Sequence, residues 1–565
     1  MIADVLGSTL LFVVLSTAMG WPLAARLRCS VSEQLIASTA FSLLFIFLFG
    51  WSVYVFDLPV GALRALPALA AVALAFSIRS LRQAWADPEF RNLVITQGVV
   101  TSWCIGWLAL VLSYSGGNWV GDWFGHWQRA VFFLERLSPF LLFNGFDPVT
   151  SRPPLANIVV GAFMFITKND FAHYQLGLTV FGSLTFLPAA LLARRFGSVH
   201  STRVVAVLLM VSPLFVQNAT FAWTKLPATL FTLAALYWFL RAHDSDEPAA
   251  ARPLVAANLG AAILTHYSAA PYALVLAVAW LVFGWPRRKE SRWWQTTAKS
   301  AGIGTLTLAP WFTWALLTYG GRGTFLNNPS ITDQAPTAGA QLWAMLLNLR
   351  DTIVPHFFRW IEPGWIAQAS PWGWWRDWFF NLYQTNLIFA FGSVAWLAIL
   401  IKLFRDRHTV SSAQRRFWSA FILSISILGV AVHGGRGEWG LAHICLQPLV
   451  ILGLAFLAAA WDSLEQPWRW LLIGGAVLDF TLGIALQFSM QGFLLEYWSS
   501  PGTPLLDISK NYSPATMVNL NGKHAFHFTF LGDHFGGRPV MVLLLLGALA
   551  ALALSRAGRR HQDLP

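Results

Sequence analysis

The feature that most constrains this chain is the recurrence of apolar runs long enough to cross a bilayer. A spanning helix needs roughly 20 apolar residues. Such runs lie near 3–24, 34–56, 60–78, 97–113, 172–193, 203–218 and 223–240. They resume near 268–285, 298–318, 384–403, 417–433, 441–460, 470–488 and 537–555, and a shorter run at 254–265 reads as a tilted or paired crossing. The expected fold class is therefore all-α, a polytopic transmembrane helix bundle of about 13–15 spans. Composition agrees: of 565 residues, 56% are hydrophobic and only 11% charged, against roughly 25% charged in a soluble domain. So little charge cannot cover one soluble core. The first run carries Asp4 and has no basic stretch before it, so it reads as a retained helix rather than a cleaved signal.

The formal net charge of +12 raises nucleic acid as a partner, but the basic residues form no stripe and that class is set aside. They follow the positive-inside rule instead. With the N-terminus outside, the inner segments hold Arg26, Arg28, Arg79, Arg82 and Arg91, then Arg194, Arg195, Arg203, Arg241 and Arg252. They continue with Arg287, Arg288, Lys289, Arg292 and Lys299, then Lys402, Arg405, Arg407, Arg415, Arg416 and Arg469, and the tail Arg556, Arg559 and Arg560. The short outer turns hold almost none, Arg436 excepted. This predicts a multi-pass protein of a bacterial inner membrane, N-terminus outside and C-terminus inside. Cys29, Cys104 and Cys445 show no metal or disulfide spacing.

Three long loops then fall outside, at about 114–171, 319–383 and 489–536, and loops of that length are usually functional. Trp119 to Leu137 reads as an amphipathic helix. Val120, Phe124, Trp127, Val131 and Leu134 form its apolar stripe, with Asp122, His126, Arg129 and Arg136 on another face. It is expected to rest in the interface plane, as is the run 154–166, too short to span.

The chemistry-bearing residues gather at this outer level. Asp122 and His126 are spaced i,i+4 and share a helix face, with Arg129 at i+7. A carboxylate there could take a proton from an acceptor hydroxyl; a solvated face with an Asp–His contact is the plainer alternative. Asp147 and Arg152 follow in the same loop. Lys225 stands at the outer start of its helix, His266 and Tyr267 at an outer turn, and Arg436 and Glu438 at another, with His443 beyond. Ionisable groups at membrane helix ends are costly unless paired or hydrated, which makes them functional candidates. Cations beside a carboxylate suit a phosphate-bearing lipid next to an acceptor. His126 with Asp122 could bind a divalent metal, but two ligands do not define a site. Asp244-Ser245-Asp246 is formally a D-x-D in a short inner loop, and there is no P-loop or G-x-G-x-x-G, so a nucleotide donor is not expected. The last loop holds His524, His527, Asp533 and His534 with no motif.

A long outer loop with an early Asp, here Asp122, followed by Arg152-Pro153-Pro154-Leu155 opening a short helix, resembles the GT-C membrane glycosyltransferases. Protein O-mannosyltransferases and lipid A aminoarabinose transferases are the nearest in pattern. The likeness continues through F-A-H-Y-Q-L-G-L, S-P-L-F-V-Q-N-A and T-K-L-P-A, to the R-G-E-W stretch between Arg436 and Pro448, over roughly residues 100–460. It implies juxtamembrane helices in the outer loops and transfer of a sugar from a polyprenyl-phosphate carrier at the outer face, usually with inversion. The acceptor would be a glycolipid, polysaccharide or protein. It also implies Asp122 as base, with Arg152 or Lys225 facing the lipid phosphate. The sequence departs from the family at three points. Trp123 follows Asp122 where an acidic pair is usual, Lys225 stands where many relatives carry Asp, and three helices precede the loop instead of one. The implied division is N-terminal helices to 96, a catalytic core 97–460, and C-terminal helices 461–565. A transporter or flippase of a lipid-linked substrate and a non-catalytic scaffold are the alternatives. Transporters tend to place ionisable groups near the bilayer midplane; here they lie at helix ends and in long outer loops, with Asp479 an exception within a span.

Overall fold

A computed structural model describes residues 2–111, 120–143, 148–244, 250–326, 337–353, 395–405, 412–432, 443–486 and 531–535. Among them every regular element is helical. The expected crossing near 537–555 and the first part, 384–394, of the one near 384–403 lie outside the described residues, as does most of the loops 319–383 and 489–536.

The helices are α1 (Ile2–Ala18), α2 (Trp21–Ala24), α3 (Val31–Val55), α4 (Ala65–Ala86), α5 (Pro88–Leu108), α6 (Val120–Glu135) and α7 (Leu155–Ile166). They continue with α8 (Phe171–Ser183), α9 (Phe186–Phe196), α10 (Ser201–Val211), α11 (Pro213–Thr220), α12 (Lys225–Arg241), α13 (Ala251–Thr265), α14 (Ala270–Gly284) and α15 (Ser291–Phe325). Later helices span Ala338–Ile353, Ala395–Arg405, Ser412–Val432, His443–Ala460 and Gln466–Phe480. Among the described residues, six helical segments are long and apolar enough to cross a membrane, or seven counting one bent pair.

Capping residues set several of these starts. Ser30 and Glu33 form a reciprocal capping box at α3. Asp87 accepts from the backbone N–H of Glu89 and Phe90, with Pro88 at the first position of α5. Asp170 caps α8 through the His173 N–H. The run 203–218 is not one straight span: α10 and α11 meet at 70°. Ser212, driven extended (ψ 116°) by the following Pro213, ends the first helix and caps the second. Near the end of α15, Gly320 sits at φ 68°, a left-handed conformation that glycine adopts without penalty.

Burial divides the helices into a hub and a shell. Helices α7, α8, α9 and α12 are enclosed along almost their whole length. Helices α4, α14 and α15 turn apolar side chains outward, among them Phe76, Val282, Leu306 and Leu317. A surface that exposes such residues is matched to lipid rather than water. The N-terminal helices join the hub directly. Helix α1 lies on α3 and α8, α3 lies on α7, and the Phe12 ring meets Phe163 edge-on at 5.1 Å.

Two expectations are corrected. Helix α7 is enclosed by protein, between α3, α6 and α8, rather than laying an open apolar face on lipid. On α6 the polar side chains His126 and Arg129 are not solvated, at 3% and 2% exposed. The periodicity is there, but the polar side faces protein. A 3.6-residue stripe shows that the two sides of a helix differ without saying what covers either.

Candidate functional site

The site is built around the turn Val149–Ser151 and the residues after it. Pro153 and Pro154 force Arg152 extended (ψ 136°), and α7 begins at Leu155. The Arg-Pro-Pro-Leu motif is thus a short strut between a tight turn and a buried helix.

Three elements hold that turn. From α6, the Arg129 guanidinium donates to Ser151 Oγ at 2.8 Å and to the Pro148 carbonyl at 3.4 Å. It also donates to the Gly125 carbonyl at 2.9 Å and lies over the Phe143 ring, 4.4 Å from its centroid. From the turn after α13, the Tyr267 hydroxyl donates to the Thr150 carbonyl at 3.2 Å and accepts from Trp311 Nε1 at 3.1 Å. From α15, the Gly323 carbonyl accepts from the Thr150 hydroxyl at 2.9 Å.

His126 lies one turn before Arg129, inside this assembly. Burial, reinforced by the charges of Arg152, Arg129 and His266, pushes its imidazole well below the ordinary histidine range, while a hydrogen bond with Asn157 pulls the other way. The ring is neutral at physiological pH, and its Nδ1 has no partner among the described residues. His266 accepts the Ser268 N–H at Nδ1 over 3.2 Å.

His126, Arg129, Arg152, His266 and Tyr267, spread over more than 140 residues of sequence, are thus brought close together. Lys225 is buried at 3% exposure at the start of α12, and a contact described for it is with Trp223, Nζ lying 3.4 Å from the ring centroid. Removing an ammonium from water is costly, and the ring face offsets part of that cost. Asp122 lies on α6 one turn before His126; its side chain is outside the described residues, as are Asp147, Arg436, Glu438 and the side chain of His443. Asp244 of the D-x-D is held by Arg195 and Arg241, an ion-pair role, and Asp246 lies outside the described residues.

Sequence reasoning passed over Asn157, Thr150, Ser151 and Trp311. Asn157 had a signal, a lone amide in an apolar run; Trp311 had none among 30 tryptophans. Among the described residues no three His, Cys, Asp or Glu side chains gather as metal ligands. The described surroundings of His126 include two guanidiniums, a field that suits an anion rather than a dication.

Comparison with known proteins agrees with this anatomy. Residues 151–314, from the held turn to α15, match the family described as dolichyl-phosphate-mannose-protein mannosyltransferase. No curated protein matches the chain by sequence. The solved structures similar to it include ArnT from Cupriavidus metallidurans bound to undecaprenyl phosphate, at 16% identity and a TM-score of 0.45, covering 80% of this chain and 79% of that one. They also include the Archaeoglobus fulgidus oligosaccharyltransferase in its apo form, at 16% identity and a TM-score of 0.39, covering 76% of this chain and 60% of that one. The likeness to that mannosyltransferase family is confined to residues 151–314.

Proposed function

We propose that this protein moves a sugar from a polyprenyl-phosphate-linked donor to an acceptor at the outer face of the membrane, with inversion at the anomeric carbon. The observation that carries this reading is the convergence of α6, the Arg-Pro-Pro-Leu strut and the His266–Tyr267 turn on one buried cationic region overlapping the family match. The chemistry follows from charge. The acceptor oxygen attacks the anomeric carbon, the bond from that carbon to the phosphate oxygen breaks, and the electron pair leaves with the phosphate. The acceptor proton goes to the Asp122 carboxylate. Negative charge grows on the leaving phosphate, where Arg152 stabilises it, and a site largely closed to water strengthens that interaction. Lys225 is a second cation for the phosphate. Neutral His126 accepts a hydrogen bond from sugar or acceptor without adding a competing charge. Arg129 positions the turn that carries Arg152.

The test is transfer by purified protein in lipid vesicles, using a polyprenyl-phosphate sugar and a cell-envelope acceptor extract. Asp122→Asn is expected to lower turnover by about 10²-fold or more, the scale of lost general-base catalysis, with an unchanged elution profile. Transfer at the wild-type rate in that variant removes Asp122 from the mechanism. Donor moved between leaflets by the wild-type protein without transfer would favour the flippase.

A further inference from the structure

The two ends of α12 carry different chemistry. Lys225 opens the helix and Arg241 closes it, about 24 Å away at 1.5 Å per residue. At the Arg241 end lies a cavity of ≈ 300 Å³ that the transfer mechanism does not use. Three guanidiniums line it, those of Arg194, Arg195 and Arg241, with the hydroxyls of Ser30, Ser32 and Tyr237.

The single carboxylate in that lining, Glu33, is already engaged. One oxygen accepts from the Tyr237 hydroxyl at 2.8 Å and from Arg241 Nε at 2.6 Å. The other accepts from the Ser30 backbone N–H at 2.7 Å. Its side chain is 5% exposed, whereas those of Arg194 and Arg195 are 19% and 23% exposed. The outer partners of these two, Glu89 and Asp244, pair with them from outside the lining. Among the described residues Arg194 bonds Glu89 alone, so further N–H donors of its five remain for a ligand. Arg195 and Arg241 both bond Asp244, so Arg194, beside the Ser30, Ser32 and Tyr237 hydroxyls, offers the cavity its remaining donors. The Arg194 fork, with those hydroxyls and the positive edge of the neighbouring Arg195 and Arg241 ion pairs, fits the oxygens of a phosphate group.

We infer that this cavity is a phosphate-binding site at the end of the bundle opposite the transfer site, shaped for the headgroup of an anionic phospholipid. A cavity at the termini of membrane helices stands at headgroup depth, and Phe196, next after Arg195, is exposed at 39% as an apolar neighbour for acyl chain. The full-length protein in neutral-lipid nanodiscs would be titrated with phosphatidylglycerol, and separately with inorganic phosphate, following bound lipid by native mass spectrometry and thermal stability. Phosphatidylglycerol is expected to bind and stabilise. R194Q, which removes a partly exposed fork, is expected to weaken that binding roughly tenfold, the worth of one charge-assisted contact. S32V, which narrows the cavity and leaves every charge in place, should do the same and stands in if R194Q does not fold. Stabilisation by inorganic phosphate without a lipid preference assigns the site to a soluble phosphate and overturns the lipid inference. Equal uptake of phosphatidylglycerol and phosphatidylcholine with no response to phosphate overturns the site, as does unchanged binding in both variants.

Discussion

At the scale of single residues, His126 shows how context changes a side chain. In sequence it is a polar residue one turn from an aspartate. In the folded protein it is enclosed and neutral, with its ordinary protonation suppressed by burial and by Arg152, Arg129 and His266. The consequence for stability has a definite sign. The unfolded chain takes up a proton near pH 6.5 and the folded one does so only at much lower pH. Stability contributed by the neutral ring is fully present above pH 6.5 and is lost as pH falls below it. Melting temperatures measured from pH 7.5 down to 5 should therefore drop more steeply in the wild-type protein than in His126→Gln. Parallel slopes would mean that His126 is protonated in the fold. Arg129 makes the complementary point: a basic residue that looked like part of a wet face is the fastener of the turn that carries Arg152.

At the scale of elements, close approach decides how the hub is joined. Gly197 ends α9 where the helix His443–Ala460 crosses it, and a methyl added there would meet the Ala459 Cα at 2.6 Å and its carbonyl oxygen at 2.7 Å. Backbone cannot step aside as a side chain can. Gly197→Ala is expected to cost about 1–3 kcal/mol, the range for overpacking a well-filled contact, read as a lower melting temperature in detergent. An unchanged melting temperature would show that the contact yields. Elements were legible in the sequence where they carry their own signals. The Arg152-Pro153-Pro154 strut is such a case, written in adjacent residues. Even so, 203–218 reads as one span, because hydropathy weighs apolar length and does not register a bend within it.

At the scale of the whole molecule, the charge pattern predicts an orientation that can be tested at its exposed turns. Leu58, after α3, is expected outside, and Arg288, after α14, inside; both positions are exposed. In right-side-out vesicles a membrane-impermeant thiol reagent should label Leu58→Cys and spare Arg288→Cys, and inverted vesicles should reverse the result. The opposite pattern would invert the topology. The sequence by itself determined the solvent of this protein and its all-helical class, because apolar length and backbone satisfaction in lipid leave few other solutions. It also marked the Arg-Pro-Pro-Leu strut, whose conformation is set by neighbouring prolines. Only the tertiary structure decided which polar residues come together. His126, Arg152 and Tyr267 are brought together by helices that meet across long sequence separations, and no local period encodes such meetings. It also decided that the polar side of α6 faces inward. Amphipathicity reports a difference between two faces, and what covers each face depends on the rest of the fold.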